Sequence, residues 1–445
     1  MSEFSTIDEQ RFKAFHWRAT LTTGLGVFCD GYDLSSLGIV LPLVLASFGT
    51  AALTSIQSGL LAASALVGAA IGSLIFGVLG QRGRKPFYGL AVLILGLAAI
   101  AQAFAPTVSW LIAIRFVLGI GVGADYVLSP MIMAEHSNRA DRGRALGLGF
   151  GTMWPLGALA AALMKLTLDA LHVSGDLQWR IVLAAGAIPA FWVMYLRRRM
   201  PETARFLARV AGRADEAAQV MTQISGQDIA PPQVDRRAFW SVFARHWRPI
   251  ASAALLWMIY DLVVYAFILF GPSLIARSLG LGPVAFSLIL QIGFVIPASA
   301  LGSVFIIDRV GRKPLQGWGF LLAAALLAVF ALMQHQLLAM PIAAFAVFGL
   351  FNVAATGPGL VSGAGVLGVE LAPTRIRSVA QAITVTGGRI GAAVSGLAFP
   401  LLFGASQAAA YWVIVGLAVL GAVLTWRLVP ETGRISLEAI TEGAA

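Results

Sequence analysis

Four carboxylates lie inside long apolar stretches of this chain, each in a pattern that could carry a proton. Asp30 and Asp33, in GVFCDGYDLSS, are three residues apart, so on a helix both face one side, and Gly31 between them leaves room for a close neighbour. Two like charges that close in a low dielectric cannot comfortably both ionise, and one of the pair should hold a proton at physiological pH. Asp125, followed by Tyr126, lies ten residues beyond Arg115 in RFVLGIGVGADYVLSPMIMAEHSNRADRGR. Asp261 stands between Trp257 and Tyr265 at spacings of four and four, which stacks an indole, a carboxylate and a phenol on one helical face. An aromatic stripe at that spacing is ordinarily core, but a carboxylate in its middle is not explained by packing. The set suits proton exchange beside a polar guest. Arg115 reads as a charge partner for these acids, Gly119, Gly121 and Gly123 as a close helix contact, and Cys29 as a small packing residue.

A charge near the centre of a bilayer costs roughly 2.5 to 3.5 kcal/mol on insertion scales, so these residues must face protein or water. That the surroundings are a bilayer follows from composition: of 445 residues, 58% are hydrophobic and 12% charged, far from an ordinary soluble domain. The apolar runs are about 20 residues long, which selects spanning helices over a barrel. They predict twelve spans, near 20 to 45, 56 to 79, 87 to 105, 108 to 133, 145 to 168, 179 to 196, 250 to 272, 286 to 307, 315 to 334, 338 to 365, 378 to 403 and 408 to 429. Cations cluster in alternate loops: Arg82, Arg84 and Lys85, then Arg139, Arg142 and Arg144, then Arg309, Arg312 and Lys313. The opposite loops carry little beyond Lys165 and Arg277, so both termini should be cytoplasmic. The net charge of +10 thereby reads as an orientation signal rather than a nucleic-acid surface. One cysteine excludes an internal disulfide and a cysteine-based metal cluster, and no cofactor is expected. The N-terminus lacks the apolar core of a cleavable signal peptide, so the first span should insert by itself.

A polar segment, 197 to 248, opens with Arg197, Arg198 and Arg199 and divides the chain into halves, 1 to 196 and 249 to 445. The halves echo each other. FGVLGQRGRKP is answered by GSVFIIDRVGRKP, PETARFL at Pro201 by PETGRISL at Pro430, and Glu135 with Arg142 and Arg144 by Glu370 with Arg375 and Arg377. Three matched echoes in order indicate internal duplication. The chain as a whole resembles the major facilitator superfamily. That resemblance implies an all-α membrane protein of twelve transmembrane helices in two six-helix pseudo-symmetric halves, whose cytoplasmic signature matches Asp308-Arg-Val-Gly-Arg-Lys313. By it, Asp308, Arg309, Glu135, Arg142, Glu370 and Arg377 form a cytoplasmic gate, with Glu202 and Glu431 nearby, while Gln81 replaces the acid of the first copy.

Within that superfamily, Gly123-Ala-Asp-Tyr-Val-Leu-Ser129 and Met131-Ile-Met-Ala-Glu135 are similar to the fourth-span signature of the phosphate:proton symporters. The triplet Trp257, Asp261 and Tyr265 and the pair Asp30 and Asp33 match that branch too. The resemblance implies that Asp125, Tyr126, Trp257, Asp261 and Tyr265 surround the substrate and that Asp30, Asp33 and Asp125 form the proton route; Asp261 is expected to join them in proton coupling, since its protonation would reduce repulsion of an anion. Three positions depart from the branch: Trp154 falls where it has a glutamine, Val361 where it has an asparagine, and Arg389 where it has a lysine. Arg389 can bind an oxyanion with a bidentate fork. The expectation is a proton-coupled symporter in an inner or plasma membrane, with protons and a small anion, first inorganic phosphate, as its partners, and a monomer as a plausible working unit. An organic or aromatic acid is the alternative, suited by Trp154, and a nutrient sensor that binds without transport is a second class. No nucleotide-binding loop, metal-ligand cluster or nucleophile motif points to an enzyme.

Overall fold

The computed structural model describes residues 3–49 and 55–442. Among these there is no strand, and twelve helices are long and apolar enough to cross a membrane. They are span 1 (Ala14–Ser47), span 2 (Gly59–Leu79), span 3 (Lys85–Gln102), span 4 (Val108–His136), span 5 (Arg142–Ala170) and span 6 (Gly175–Arg197). The second half comprises span 7 (Phe239–Phe270), span 8 (Pro283–Val310), span 9 (Arg312–Leu332), span 10 (Pro341–Glu370), span 11 (Arg377–Ala405) and span 12 (Gln407–Leu428). All twelve coincide with the apolar runs of the sequence. Span 7 starts at Phe239, eleven residues before its apolar run, because helical hydrogen bonds continue past the apolar boundary until the extended residue Ala238.

Helices in a bilayer gain little from hydrophobic burial against each other, so close packing of small residues does the work. A Cβ on Gly119 or Gly123 would collide with the backbone of Ala65 or Ala69 in span 2. Gly121, on the opposite side of span 4, meets Ala91 and Leu95 of span 3. The glycine strip therefore serves two neighbours. The halves join where span 2 packs along span 11, span 5 along span 8 and span 1 along span 7.

Both termini lie on one side, called here the terminal side, where Arg205 of the connecting segment bridges Asp8 at 2.7 Å and Glu438 at 2.9 Å. The connecting segment folds into short helices, Ala204–Arg209 and Ala214–Ser225, whose Phe206, Leu207 and Met221 pack on Phe4 and Ile7. Among the described residues, four π-helical turns interrupt the spans, at Gly147–Thr152, Gln291–Val295, Gly302–Ile306 and Gly359–Gly363, and a fifth, Gly271–Ile275, continues span 7 beyond Phe270. Such turns widen a helix and leave main-chain groups free to bend. Four of the five contribute to the wall of one cavity between the halves, so the irregular turns shape that cavity.

Candidate functional site

The cavity has a volume of about 140 Å³ and is enclosed by spans 1, 4 and 5 of the first half and spans 7, 8, 10 and 11 of the second. Spans 1, 4 and 5 correspond to 7, 10 and 11 under the internal repeat, so the cavity lies on the pseudo-symmetry axis. Arg389, the thirteenth residue of the 29-residue helix Arg377–Ala405, enters it near mid-depth. Its Nη2 forms an ion pair with Asp261 Oδ2 at 2.8 Å, and its Nη1 donates to the Tyr265 hydroxyl at 2.6 Å. The guanidinium also lies 4.4 Å from the ring centroid of Tyr126, a favourable cation–π approach. Arg389 Nε, Asp261 Oδ1 and Trp257 Nε1 are buried without hydrogen-bond partners. Buried polar groups are normally satisfied, and the open Nε leaves one donor of this cation without a protein partner.

The expected substrate set is thus largely gathered here. Tyr126, Asp261, Tyr265 and Arg389 line the cavity, and Trp257 stands just behind them with its ring 5.9 Å from the Arg389 guanidinium. Asp125 does not line it. Its Oδ1 pairs at 2.6 Å with Arg197 of span 6, and its Oδ2 accepts from the Ser129 hydroxyl at 3.0 Å. Arg197 in turn donates to the Tyr88 carbonyl at 3.0 Å and lies 3.6 Å over the Tyr88 ring. The sequence reading put Arg197 with Arg198 and Arg199 in the polar connecting segment; Arg197 is instead buried, while the other two are exposed. At 100° per residue the helix turns the first inward and the next two out. Ala190, Val193 and Arg197 are all buried at spacings of three and four, and that period was the available signal.

Asp30 and Asp33 are fully buried one turn apart on span 1, outside the cavity wall, and none of their four carboxylate oxygens has a hydrogen-bond partner. Asp33 packs against Gly186 of span 6, where a Cβ would collide with its carboxylate. Arg115, also fully buried, donates to Gln102 Oε1 at 3.1 Å and exerts its charge on Asp33 without forming an ion pair.

On the terminal side the echoed motifs close a symmetric network. Glu135 meets Arg84 at 3.2 Å and, across the halves, Arg377 at 3.0 Å; Glu370 meets Arg312 at 3.0 Å and, across the halves, Arg142 at 2.7 Å. Thr203 and Thr432 donate to Glu135 and Glu370 respectively. Glu202 accepts the backbone N–H groups of Arg84 and Lys85, and Glu431 those of Arg312 and Lys313. Each carboxylate satisfies the orphan donors at a span's N-terminus, where the helix dipole favours negative charge. Asp308 accepts from the backbone N–H of Gly143 at 3.0 Å and of Arg144 at 2.6 Å, clamping span 5 to span 8. Arg309, expected in the gate, is exposed beside Phe305 and takes no part; Arg312, the first residue of span 9, does. Gln81 makes no matching clamp, and its Nε2 is buried without a partner.

Trp154 lines the cavity, as does Leu360, whereas Val361 points into a separate apolar cluster. Residues that sequence reasoning missed also line it: Tyr260, Gln291, Ser299, Asn352 and Thr356. Single amides and hydroxyls in apolar runs are common, and nothing in their spacing singled these out.

The family model described as sugar (and other) transporter matches residues 19–444. A probable inorganic phosphate transporter 1-10 of Oryza sativa subsp. japonica is 30% identical, over 98% of this chain and 91% of the relative. The putative metabolite transport protein YaaU of Escherichia coli K12 is 28% identical, over 98% of this chain and 97% of the relative. Among solved structures, the proton:xylose symporter XylE bound to 6-bromo-6-deoxy-D-glucose overlays with a TM-score of 0.81 at 22% identity, covering 96% of this chain and 98% of that one.

Proposed function

The chain belongs to the sugar (and other) transporter family of the major facilitator superfamily, and from that premise we propose that it is a proton-driven symporter of a small anion, inorganic phosphate first. It works by alternating access from an inner or plasma membrane, with the terminal side in the cytoplasm, as the cation-rich loops of that side suggest. One observation carries the reading: the cavity's arginine is already occupied by an internal carboxylate, Asp261. While Asp261 is ionised, the pair is neutral and an incoming anion meets a competing negative charge. A proton on Asp261 removes that charge and frees Arg389 Nη2. The anion can then accept from Arg389 Nη1 and Nη2 and from the hydroxyls of Tyr265 and Tyr126. Anion and proton each favour the other's binding, which is what a symporter needs. Asp30 and Asp33 supply further proton positions beside the cavity. The relatives described as phosphate transporters support phosphate as the anion.

A second reading, an organic anion, is favoured by the cavity wall. Trp154, Phe150, Val264 and Leu290 give it apolar faces, and Gln291, Asn352 and Thr356 add a second polar region. Counterflow in proteoliposomes separates the two. Trans-acceleration of labelled phosphate by unlabelled phosphate is expected; acceleration by benzoate-type acids with none by phosphate would transfer the assignment to the organic anion, and acceleration by neither overturns anion symport. Asp33→Asn is expected to abolish accumulation driven by a proton gradient while sparing equilibrium exchange. Unchanged pH-dependent accumulation in that variant would remove Asp33 from the coupling.

A further inference from the structure

Among the described residues, the buried middle of the first half holds three acids, Asp30, Asp33 and Asp125, and two cations, Arg115 and Arg197. Asp125 has Arg197 as an ion-pair partner, whereas neither Asp30 nor Asp33 has a side-chain hydrogen bond or an ion pair. An isolated buried carboxylate is too costly to keep ionised, so Asp30 holds a proton in this arrangement. The charge nearest to hand is Arg197. A Cβ on Gly26, one turn before Asp30 on the same face of span 1, would collide with both Arg197 Nη2 and Asp125 Oδ2. The guanidinium therefore occupies the space a side chain at Gly26 would fill, against the bare backbone of span 1 one turn before Asp30. Its Nε has no partner, and Asp125 retains the Ser129 hydroxyl whether or not Arg197 stays.

We propose that Arg197 is a counter-ion shared by Asp125 and Asp30, and that it bridges the two when Asp30 releases its proton. This rests on the proton-driven reading above. The proton leaves the Asp30 carboxyl, which lies outside the cavity wall, for water admitted when the halves separate, and Asp261 can take it from there; no other bond is made or broken. The charge balances across the centre. Asp30 becomes negative and gains Arg197, while a protonated Asp261 leaves Arg389 positive and facing the anion. The groups that face Asp30 are Asp33 and Cys29 on span 1, Tyr88 on span 3, Asp125 and Tyr126 on span 4, Arg197 on span 6 and Arg389 on span 11. Only Arg197 and Arg389 among them are cations, and Arg389 is held by Asp261. Arg197 is thus a positioning residue, acting on the proton through two carboxylates.

The test uses the full chain in lipid nanodiscs without substrate, followed by infrared titration of the protonated carboxylic acid band that Asp30→Asn removes. Asp125→Asn, which releases Arg197 to Asp30, is expected to move the pH at which the band disappears down by about one unit or more. Arg197→Gln should move it up by a similar amount, as expected for an opposite charge a few ångströms away. Arg197→Lys, which keeps the charge, should stay near the wild type. A structure determined above that pH should show Arg197 within ion-pair distance of Asp30. Shifts of the same sign in both variants, no shift in either, or Arg197 still held by Asp125 alone at high pH overturns the proposal. If Arg197→Gln does not fold, the Asp125→Asn titration and the high-pH structure decide. These readouts need no gradient, so normal titrations in a protein that accumulates nothing would sink the transport reading and leave the shared counter-ion standing.

Discussion

Replacing Arg389 with glutamine is expected to weaken binding of the anion by about 1.5 to 3 kcal/mol, roughly tenfold to more than a hundredfold, the usual worth of hydrogen bonds to a charged group. The reason is that Arg389 is the only cation lining the cavity among the described residues. The same change strands Asp261, whose remaining oxygen already lacks a partner, in a buried site. A carboxylate left that way takes up a proton rather than stay charged. Residual transport should therefore lose its dependence on the proton gradient, so affinity and coupling fall together. Arg389→Lys should be intermediate, since it keeps the charge but loses the planar fork and the face-on contact with Tyr126. Thermal stabilisation by phosphate, sulfate and small carboxylates at several pH values reads the affinity. A wild-type response in Arg389→Gln would exclude the residue from the site.

The second large effect is expected at the terminal-side network. Glu370→Gln leaves Arg142 and Arg312 without the carboxylate that both share in a fully buried setting. Breaking a buried ion pair by removing one partner costs about 3 to 5 kcal/mol. The Arg142 share of that cost falls on the conformation in which the halves are closed on this side, because Arg142 reaches Glu370 across the interface whereas Arg312 belongs to the same half. A shift of about 3 kcal/mol is on the order of a hundredfold in the ratio of open to closed states. Asp308→Asn should act in the same direction but less, since Asn keeps an oxygen for the Gly143 and Arg144 amides and the side chain is partly exposed. The only native cysteine, Cys29, is buried, so a cysteine placed at Ser303, under the span 5 to span 8 contact, reports opening with little background. Labelling from the terminal side should rise strongly in Glu370→Gln; a rate equal to that of the unmodified gate would mean the network does not hold the halves together.

Where the helices lie, and that each half carries its own copy of the terminal-side motifs, was written along the chain. Apolar run length is set by bilayer thickness, and a duplicated motif keeps its place in the duplicated half, so both can be read locally. The matched acids Glu135 and Glu370, the paired arginines Arg142 and Arg377 and the stripe of Trp257, Asp261 and Tyr265 follow from spacing and repetition in the same way. Which partner each buried charge takes does not. Spacing fixes the face of a helix but not the neighbour that the face meets, and that neighbour is chosen by glycine contacts between spans distant in the chain. Only the assembled bundle could give Asp125 to Arg197 rather than to the cavity. The same packing left Asp30 without a cation, exchanged Arg309 for Arg312 and brought Asn352 and Gln291 to the cavity wall.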